Sequence, residues 1–299
     1  MTKETLKRSW RIFKRKKWHI VLAVILIVAL AVTPIAISIH NRTVRFSAKN
    51  PIPLSDLYVK KTDRDTIHLT ADKGFSCQAP ENTVPAIEKA AEYGFDSVKI
   101  DIRQTQDGVW ILCRDDTVNS VTDKSGSVSG YTYFDLITCN IDNGANHGDY
   151  ENLKIPTLEQ ALKVCLNKNL KPVIEIRAYT DDGIDRLLEI IYNNGFVRSC
   201  SLVSDDTDLL QTVHEKNETV KLFALRNKIS NRDIKFSAEN PYIGICFDAT
   251  KSSNSEKKIS QLQENNINLM CFTNDSENAI DKFHRLGVSE FIVNRIFDI

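Results

Sequence analysis

From Thr66 to Ile299, short apolar runs rich in β-branched residues alternate with longer amphipathic stretches. The strand-like runs fall at 66–70, 97–102, 172–177, 200–204, 220–225, 242–248, 268–273 and 290–294. Helical periodicity marks 83–93, 157–169, 183–194, 206–217, 256–266 and 276–286, with a weaker stretch near 230–238. A strand that leads into a helix and then another strand pairs in parallel, and eight such units predict a closed (β/α)8 TIM barrel. A barrel of roughly 250 residues fits comfortably within a chain of 299. Thr157-Leu-Glu-Gln160 and Asp275-Ser-Glu-Asn278 read as helix starts, and Gly94, Gly195 and Gly287 as helix stops. In this architecture the reactive residues stand at the C-terminal ends of the strands and in the loops that follow.

Two stretches depart from the alternation. Val109-Trp-Ile-Leu-Cys113 reads as an extra strand joined to the second by the turn Gln106-Asp107-Gly108. Residues 117–155, rich in Asn, Asp, Ser and Gly, form a long insertion with little periodicity, a kind of segment that is usually functional or disordered inside a domain.

The first 65 residues are of a different kind. Residues 20–37 carry no charge, and at about 1.5 Å per residue they come close to the roughly 30 Å of a bilayer core. With interfacial flanks the span becomes 18–39, read as one transmembrane helix with Pro34 near its outer end. Eight basic residues and one acid, Glu4, lie in the tail 1–17. The positive-inside rule therefore places the N-terminus in the cytoplasm and the large domain outside the cell membrane. A cleaved signal peptide is the weaker alternative, because the run exceeds a usual hydrophobic region and Ala36-Ile37-Ser38 is a poor cleavage site. Residues 40–65, polar and holding Pro51 and Pro53, read as a stalk ahead of the domain at 66–299.

Lys plus Arg and Asp plus Glu each number 39, but residues 1–45 hold ten of the bases and one of the acids, so 46–299 carry a net charge of −9. A domain of that charge is not built to bind nucleic acid through bulk electrostatics. Any phosphate it holds needs a local cluster of cations. The seven cysteines show no metal-ligand spacing. They read mainly as small buried hydrophobes, with a disulfide framework as the lesser reading and Cys77 the one nearest the barrel mouth.

The segment 71–116 carries the most specific signal: Asp72-Lys-Gly74, Pro80-Glu-Asn-Thr83, Lys99-Ile-Asp101, Thr105-Gln-Asp-Gly108 and Arg114-Asp115. In order and context these resemble the opening third of the glycerophosphodiester phosphodiesterase family. The resemblance extends over essentially 66–299 and implies a TIM barrel of the phospholipase-C-like phosphodiesterase type. It also implies a divalent metal on three carboxylates, two histidines as acid and base, and basic residues beside the strand ends. An insertion that covers the mouth is implied at 117–155.

Carried over position by position, the first histidine falls on Asp72 and its neighbouring arginine on Lys73. The metal-binding Glu-x-Asp falls on Lys99 and Asp101, and the second histidine on Arg114, which cannot act as a base. The third metal carboxylate is retained as Glu175, with Arg177 two residues on. Lys99 is expected beside Asp101 and Glu175, doing a cation's electrostatic work, and Asp72 and Arg114 are expected to form an ion pair. Asn82 or Thr83 is expected to cap the first helix. Phe272 stands where the family has a cavity-lining aromatic.

The leading reading is a binding pseudoenzyme. Lys73, Lys99, Arg114 and Arg177 would hold a phosphate by charge-assisted hydrogen bonds, without a cofactor. The ligand would be a glycerophosphodiester, a lipid headgroup or an anionic glycopolymer. The alternative is an active phosphoric diester hydrolase with a rearranged site, needing calcium or magnesium on Asp101 and Glu175 and a substitute base such as His147. A third reading makes the domain an interaction module. His68, four residues deeper than Asp72, reads as a structural histidine.

Overall fold

The computed structural model describes residues 67–180, 182–273 and 275–295. The tail 1–17, the proposed span 18–39 and the stalk 40–65 lie outside the described residues. Among the described residues no helix is long and apolar enough to cross a membrane.

Among the described residues nine strands make one sheet: β1 His68–Asp72, β2 Ser97–Gln104, β3 Trp110–Leu112, β4 Lys171–Ala178, β5 Ser201–Ser204, β6 Lys221–Arg226, β7 Ile243–Asp248, β8 Leu269–Phe272 and β9 Glu290–Val293. Eight of them pair in parallel, and the additional pairing of β1 with β2 closes the ring. The ninth, β3, folds back antiparallel on β2 through the expected turn. Around the barrel lie α1 Val84–Glu92, α3 Leu158–Lys168, α4 Gly183–Asn193, α5 Thr207–Lys216, α6 Asn231–Glu239, α7 Glu256–Glu264 and α8 Glu277–Arg285, while α2 Tyr133–Leu136 belongs to the insertion.

The start signal at 157 acts as its sequence suggests: the Thr157 hydroxyl accepts from the Gln160 amide while the Gln160 side chain accepts from the Thr157 amide. The one at 275 also opens a helix, through its second residue. Ser276 caps α8, and Asp275 instead accepts the Asn294 amide at 2.5 Å, tying the loops after β8 and β9 together.

Two differences from the expected boundaries matter for the mouth. Strand β1 continues to Asp72 and β2 to Gln104, so Asp72 is a strand residue in register with Lys99, and Asp101 is in register with Glu175. Parallel strands in register put the same face inward, and side chains alternate with period two. One face of the strands packs on the helices through Ile100, Ile102, Ile174, Leu162 and Leu187 among others. The other face fills the barrel with Val173, Val203, Phe223, Cys246, Met270 and Ile292. Above that apolar layer the inward positions turn polar.

The insertion at 117–155 is ordered around its own small core of Ile111, Val118, Val128, Leu136 and Ile141. Asp107 in the hairpin turn accepts the Tyr133 amide at 2.9 Å, and Asn146 donates to the Gln78 carbonyl at 3.0 Å. Short turns and side-chain-to-backbone bonds hold this segment, and neither leaves a periodic trace in sequence. All seven cysteines are buried and none is in a disulfide.

Candidate functional site

A cavity of about 410 Å3 opens at the C-terminal ends of the strands. Asp72, Lys99, Glu175, Arg177, Leu225, Asp248 and Phe272 reach it from strands, and Lys73, Arg114, Asp205 and Asn227 from the residues that follow strands. Residues 117–155 do not appear in this lining, and Ser120, Val121, Ile141 and Ile155 of the insertion instead line a smaller cleft that shares Arg114 and adjoins Glu81 and Asn82.

Lys99 is the centre of the site. Its side chain is 2% exposed, and its Nζ lies 2.7 Å from Asp101 Oδ1, 2.7 Å from Glu175 Oε2 and 3.3 Å from Asp72 Oδ1. Phe272 closes one side, with its ring centroid 5.7 Å from Nζ. Burial alone would push the ammonium's pKa down, but the charges of Asp101, Asp72 and Glu175 outweigh it, and Lys99 is held protonated with its pKa raised. For Asp101 burial works upward and loses to Lys99, Arg177 and Lys73, which hold its carboxyl well below the usual range. Glu175 differs, because burial exceeds the help from Lys99 and its pKa is raised.

Asn82 fixes the geometry of this cluster. Its backbone takes the left-handed conformation at φ 55°, and its Oδ1 accepts the Asp101 amide at 2.9 Å while its Nδ2 donates to Asp101 Oδ2 at 3.2 Å. The helix cap is therefore Thr83, whose Oγ1 accepts from Ala86 and donates to Pro80 O at 2.6 Å. The signal in the sequence was the order Asn-Thr before a helix, in which only one residue can cap and the other is left for another task. Lys73, also left-handed at φ 60°, is followed by Gly74, where a Cβ would stand 2.5 Å from the Ala86 side chain.

The four sequence-predicted cations all line the cavity but are not equally available. Lys99 is enclosed by carboxylates, Lys73 pairs with Glu81 at 3.1 Å, and Arg177 pairs with Glu175 at 2.7 Å. Arg114 alone of the four makes no ion pair among the described residues. Its expected partner, Asp72, is committed to Lys99 instead, because the longer β1 places Asp72 directly beside Lys99 in the sheet. Arg103 holds Arg114 through its backbone, donating to the Arg114 carbonyl at 3.0 and 2.8 Å and pairing with Asp116 at 2.6 Å.

His147 lies in a short 3-10 turn with Nδ1 3.3 Å from the Gly144 carbonyl, away from the cavity lining. His68 sits at the opposite, N-terminal end of β1, beside Glu290 in register. Cys77 is buried with Sγ 3.2 Å from the Asn294 carbonyl, and burial pushes the Cys113 thiol next to Arg114 up to about 12. None of these supplies a base at the mouth. Sequence reasoning missed Asp205 and Asp248, although each stands at or just past the end of a strand, where cavity residues of a barrel belong.

A divalent cation of the kind the resemblance implies does not fit this arrangement. The three carboxylates converge on the ammonium of Lys99, which stands at the point where they would meet an ion, and among the described residues no group of acids, histidines and cysteines is arranged for a metal.

A closed eight-stranded parallel barrel with its charged cavity at the strand C-termini defines a TIM-barrel protein. The model of the glycerophosphoryl diester phosphodiesterase family matches residues 73–297, and the chain belongs to that family. A Bos taurus protein named glycerophosphodiester phosphodiesterase 1 is 33% identical over 170 residues, covering 54% of this chain and 50% of that one. A Bacillus altitudinis protein named glycerophosphodiester phosphodiesterase is 26% identical over 225 residues, covering 73% of this chain and 90% of that one. The solved structure of an Oleispira antarctica phosphodiesterase in complex with the product sn-glycerol-3-phosphate aligns with a TM-score of 0.69 at 19% identity, covering 76% of this chain and 92% of that one. At that identity the likeness speaks for the fold. The chain spans about half the length of the mammalian relatives it matches.

Proposed function

We propose that this family member is a binding pseudoenzyme that holds a phosphate-bearing ligand, a headgroup or a glycerophosphate polymer, at the outer face of a membrane to which residues 18–39 anchor it. The observation that carries this reading is the ammonium of Lys99 at the centre of Asp72, Asp101 and Glu175. A tethered cation replaces an exchangeable one, so the electrostatic frame persists without Lewis-acid chemistry. The two positions that would carry proton transfer are changed as well. Asp72 is tied to Lys99, and Arg114 stays charged at any working pH, so neither can pass a proton near neutrality as a histidine would. Arg114, with the outer edges of Lys73 and Arg177, then supplies charge-assisted hydrogen bonds to phosphoryl oxygens.

The names of the relatives favour a second reading, in which the domain hydrolyses glycerophosphodiesters through a rearranged site. The two readings separate in a hydrolysis assay of the full chain on glycerophosphodiesters and a chromogenic diester, with and without calcium or magnesium. Silence of the natural protein, with metal-dependent turnover gained by the triple variant Asp72→His, Lys99→Glu, Arg114→His, supports binding. Turnover by the natural protein sinks the pseudoenzyme reading.

A further inference from the structure

Outside the cluster that Asp72 and Glu175 form around Lys99, the charges of the cavity are sorted by side. Lys73 and Arg114 follow β1 and β3 and Arg177 stands near the end of β4, whereas Asp205 follows β5 and Asp248 ends β7. In the order of the sheet these are opposite halves of the ring. The acidic half is built to stay acidic. Arg226, between the two acids on β6, is turned away onto Asp233 at 2.7 Å and the Asp205 carbonyl at 3.0 Å. The Lys258 ammonium is likewise spent on the carbonyls of Ile229 and Ser253. Asp205 has no ion pair among the described residues. Asp248 meets only the exposed Lys251, at 3.5 Å, a surface contact of little strength.

The acidic wall is also rigid. Asn254, itself buried, donates to the carbonyls of Asn227 and Asp248 at 3.0 and 2.8 Å and accepts the Ile229 amide at 2.8 Å, which locks the loops after β6 and β7 to each other. Asp248 accepts from the amide and hydroxyl of Thr250, so one of its oxygens is oriented in advance. In the ring Leu225 on β6 stands between the two acids and Phe272 on β8 between Asp248 and the β1 side, and an aromatic face beside carboxylates suits an alkylammonium group.

We propose that the cavity selects phosphate esters that also carry an ammonium group, with the phosphoryl oxygens on the Arg114 side and the ammonium on Asp205 and Asp248. The inference rests on the phosphate-binding reading of this site and specifies its ligand class. The cavity has the size of small-molecule sites, and a zwitterion matches its two walls where a neutral glycerol would leave Asp205 and Asp248 uncompensated.

The test is calorimetric titration of the full chain in detergent with two matched diesters, sn-glycero-3-phosphoethanolamine and sn-glycero-3-phosphoglycerol, and with inorganic phosphate. The ethanolamine diester is expected to bind about tenfold tighter than the glycerol diester. In the Asp205→Asn, Asp248→Asn variant that ratio falls to about one, while inorganic phosphate binds more tightly because two negative charges have left the mouth. Asp205→Asn alone, at an exposed position whose side chain makes no ion pair among the described residues, lowers the ratio in part and carries the test if the double variant does not fold. Mixed micelles of phosphatidylethanolamine or phosphatidylglycerol repeat the comparison with the lipid as source. A preference in either arm supports the proposal, and the arm that shows it names the source. Equal affinities in both arms, or a preference that survives the Asn variants, overturn it while phosphate still binds. Failure of inorganic phosphate to bind overturns the site reading itself, and this inference with it.

Discussion

The barrel interior has two layers that meet on β4 with the same inward parity, and they are held by opposite physics. The lower layer, Val173, Val203, Phe223, Cys246, Met270 and Ile292, packs by shape and hydrophobicity. The upper layer, Asp72, Lys99, Asp101, Glu175 and Arg177, is nearly as dry at its centre, with Lys99, Asp101 and Glu175 exposed by 1%, 0% and 2%. Its ions have lost water and recover that cost only from one another and from Asn82. An apolar layer tolerates the loss of a methyl group, whereas a buried ion cluster is strongly destabilised when its central cation is removed.

The largest expected effect follows from that asymmetry. Lys99→Met strands three carboxylates around an apolar side chain and is expected to cost about 3–5 kcal/mol at neutral pH, the usual penalty for breaking a buried pair. Ile292→Val, one methyl lost from the lower layer, costs only about 0.5–1.5 kcal/mol. Adding Asp101→Asn and Glu175→Gln to Lys99→Met restores about half or more of the loss, because the remaining charges no longer repel. Urea unfolding followed by tryptophan fluorescence measures all three. A Lys99→Met cost no larger than that of Ile292→Val would mean that the upper layer is hydrated and that the two layers do not differ.

A smaller effect separates members of the cluster by pH. The lowered pKa of Asp101 gives stability that is present above the ordinary carboxylate value of about 3.9 and lost as pH falls through its lower folded value. Glu175 has the opposite sign, since its raised pKa makes its ionised form a cost to the fold that is relieved as pH falls. The raised pKa of Lys99 keeps its contribution intact up to about pH 10.4, with loss only above that. Denaturation between about pH 3 and pH 7 should therefore show stability rising slightly as Glu175 takes up its proton, then falling below about pH 4. Glu175→Gln removes the rise and leaves the fall. A monotonic curve unchanged by that substitution would show that Glu175 is solvated in the folded state.

Each layer left a different trace in the sequence. Short apolar runs rich in β-branched residues marked every barrel strand, because both faces of such a strand are buried, and along it side chains alternate between helix-facing and inward positions. The same alternation placed Lys99, Asp101 and Glu175 on one inward face, and the likeness of 71–116 to a known family said what they had replaced. Register was not legible. Whether β1 ends at residue 70 or at Asp72 depends on pairing with β2 and β9, and those two residues decide whether Asp72 meets Arg114 or Lys99. The acidic wall was missed for a related reason: Asp205 and Asp248 look like ordinary solvated loop residues until the barrel closes and brings the ends of β5 and β7 around to face Arg114.

The smallest expected change in stability belongs to Arg114, and it sharpens the contrast most. Its guanidinium makes no ion pair among the described residues, and its backbone is held by Arg103 whatever the side chain is. Arg114→Ala should therefore leave unfolding free energy within about 0.5 kcal/mol of the natural protein. Its effect on phosphate should be large, since a hydrogen bond to a charged group contributes about 1.5–3 kcal/mol, a loss of roughly 10–150-fold in affinity. Arg103→Ala is the informative companion. It removes two bonds to the Arg114 carbonyl and the pair with Asp116, so it should lower stability and phosphate affinity together. If Arg114→Ala instead lowers stability as much as Arg103→Ala and leaves phosphate binding untouched, the mouth's unpaired cation belongs to the scaffold, and the domain acts through its outer surface.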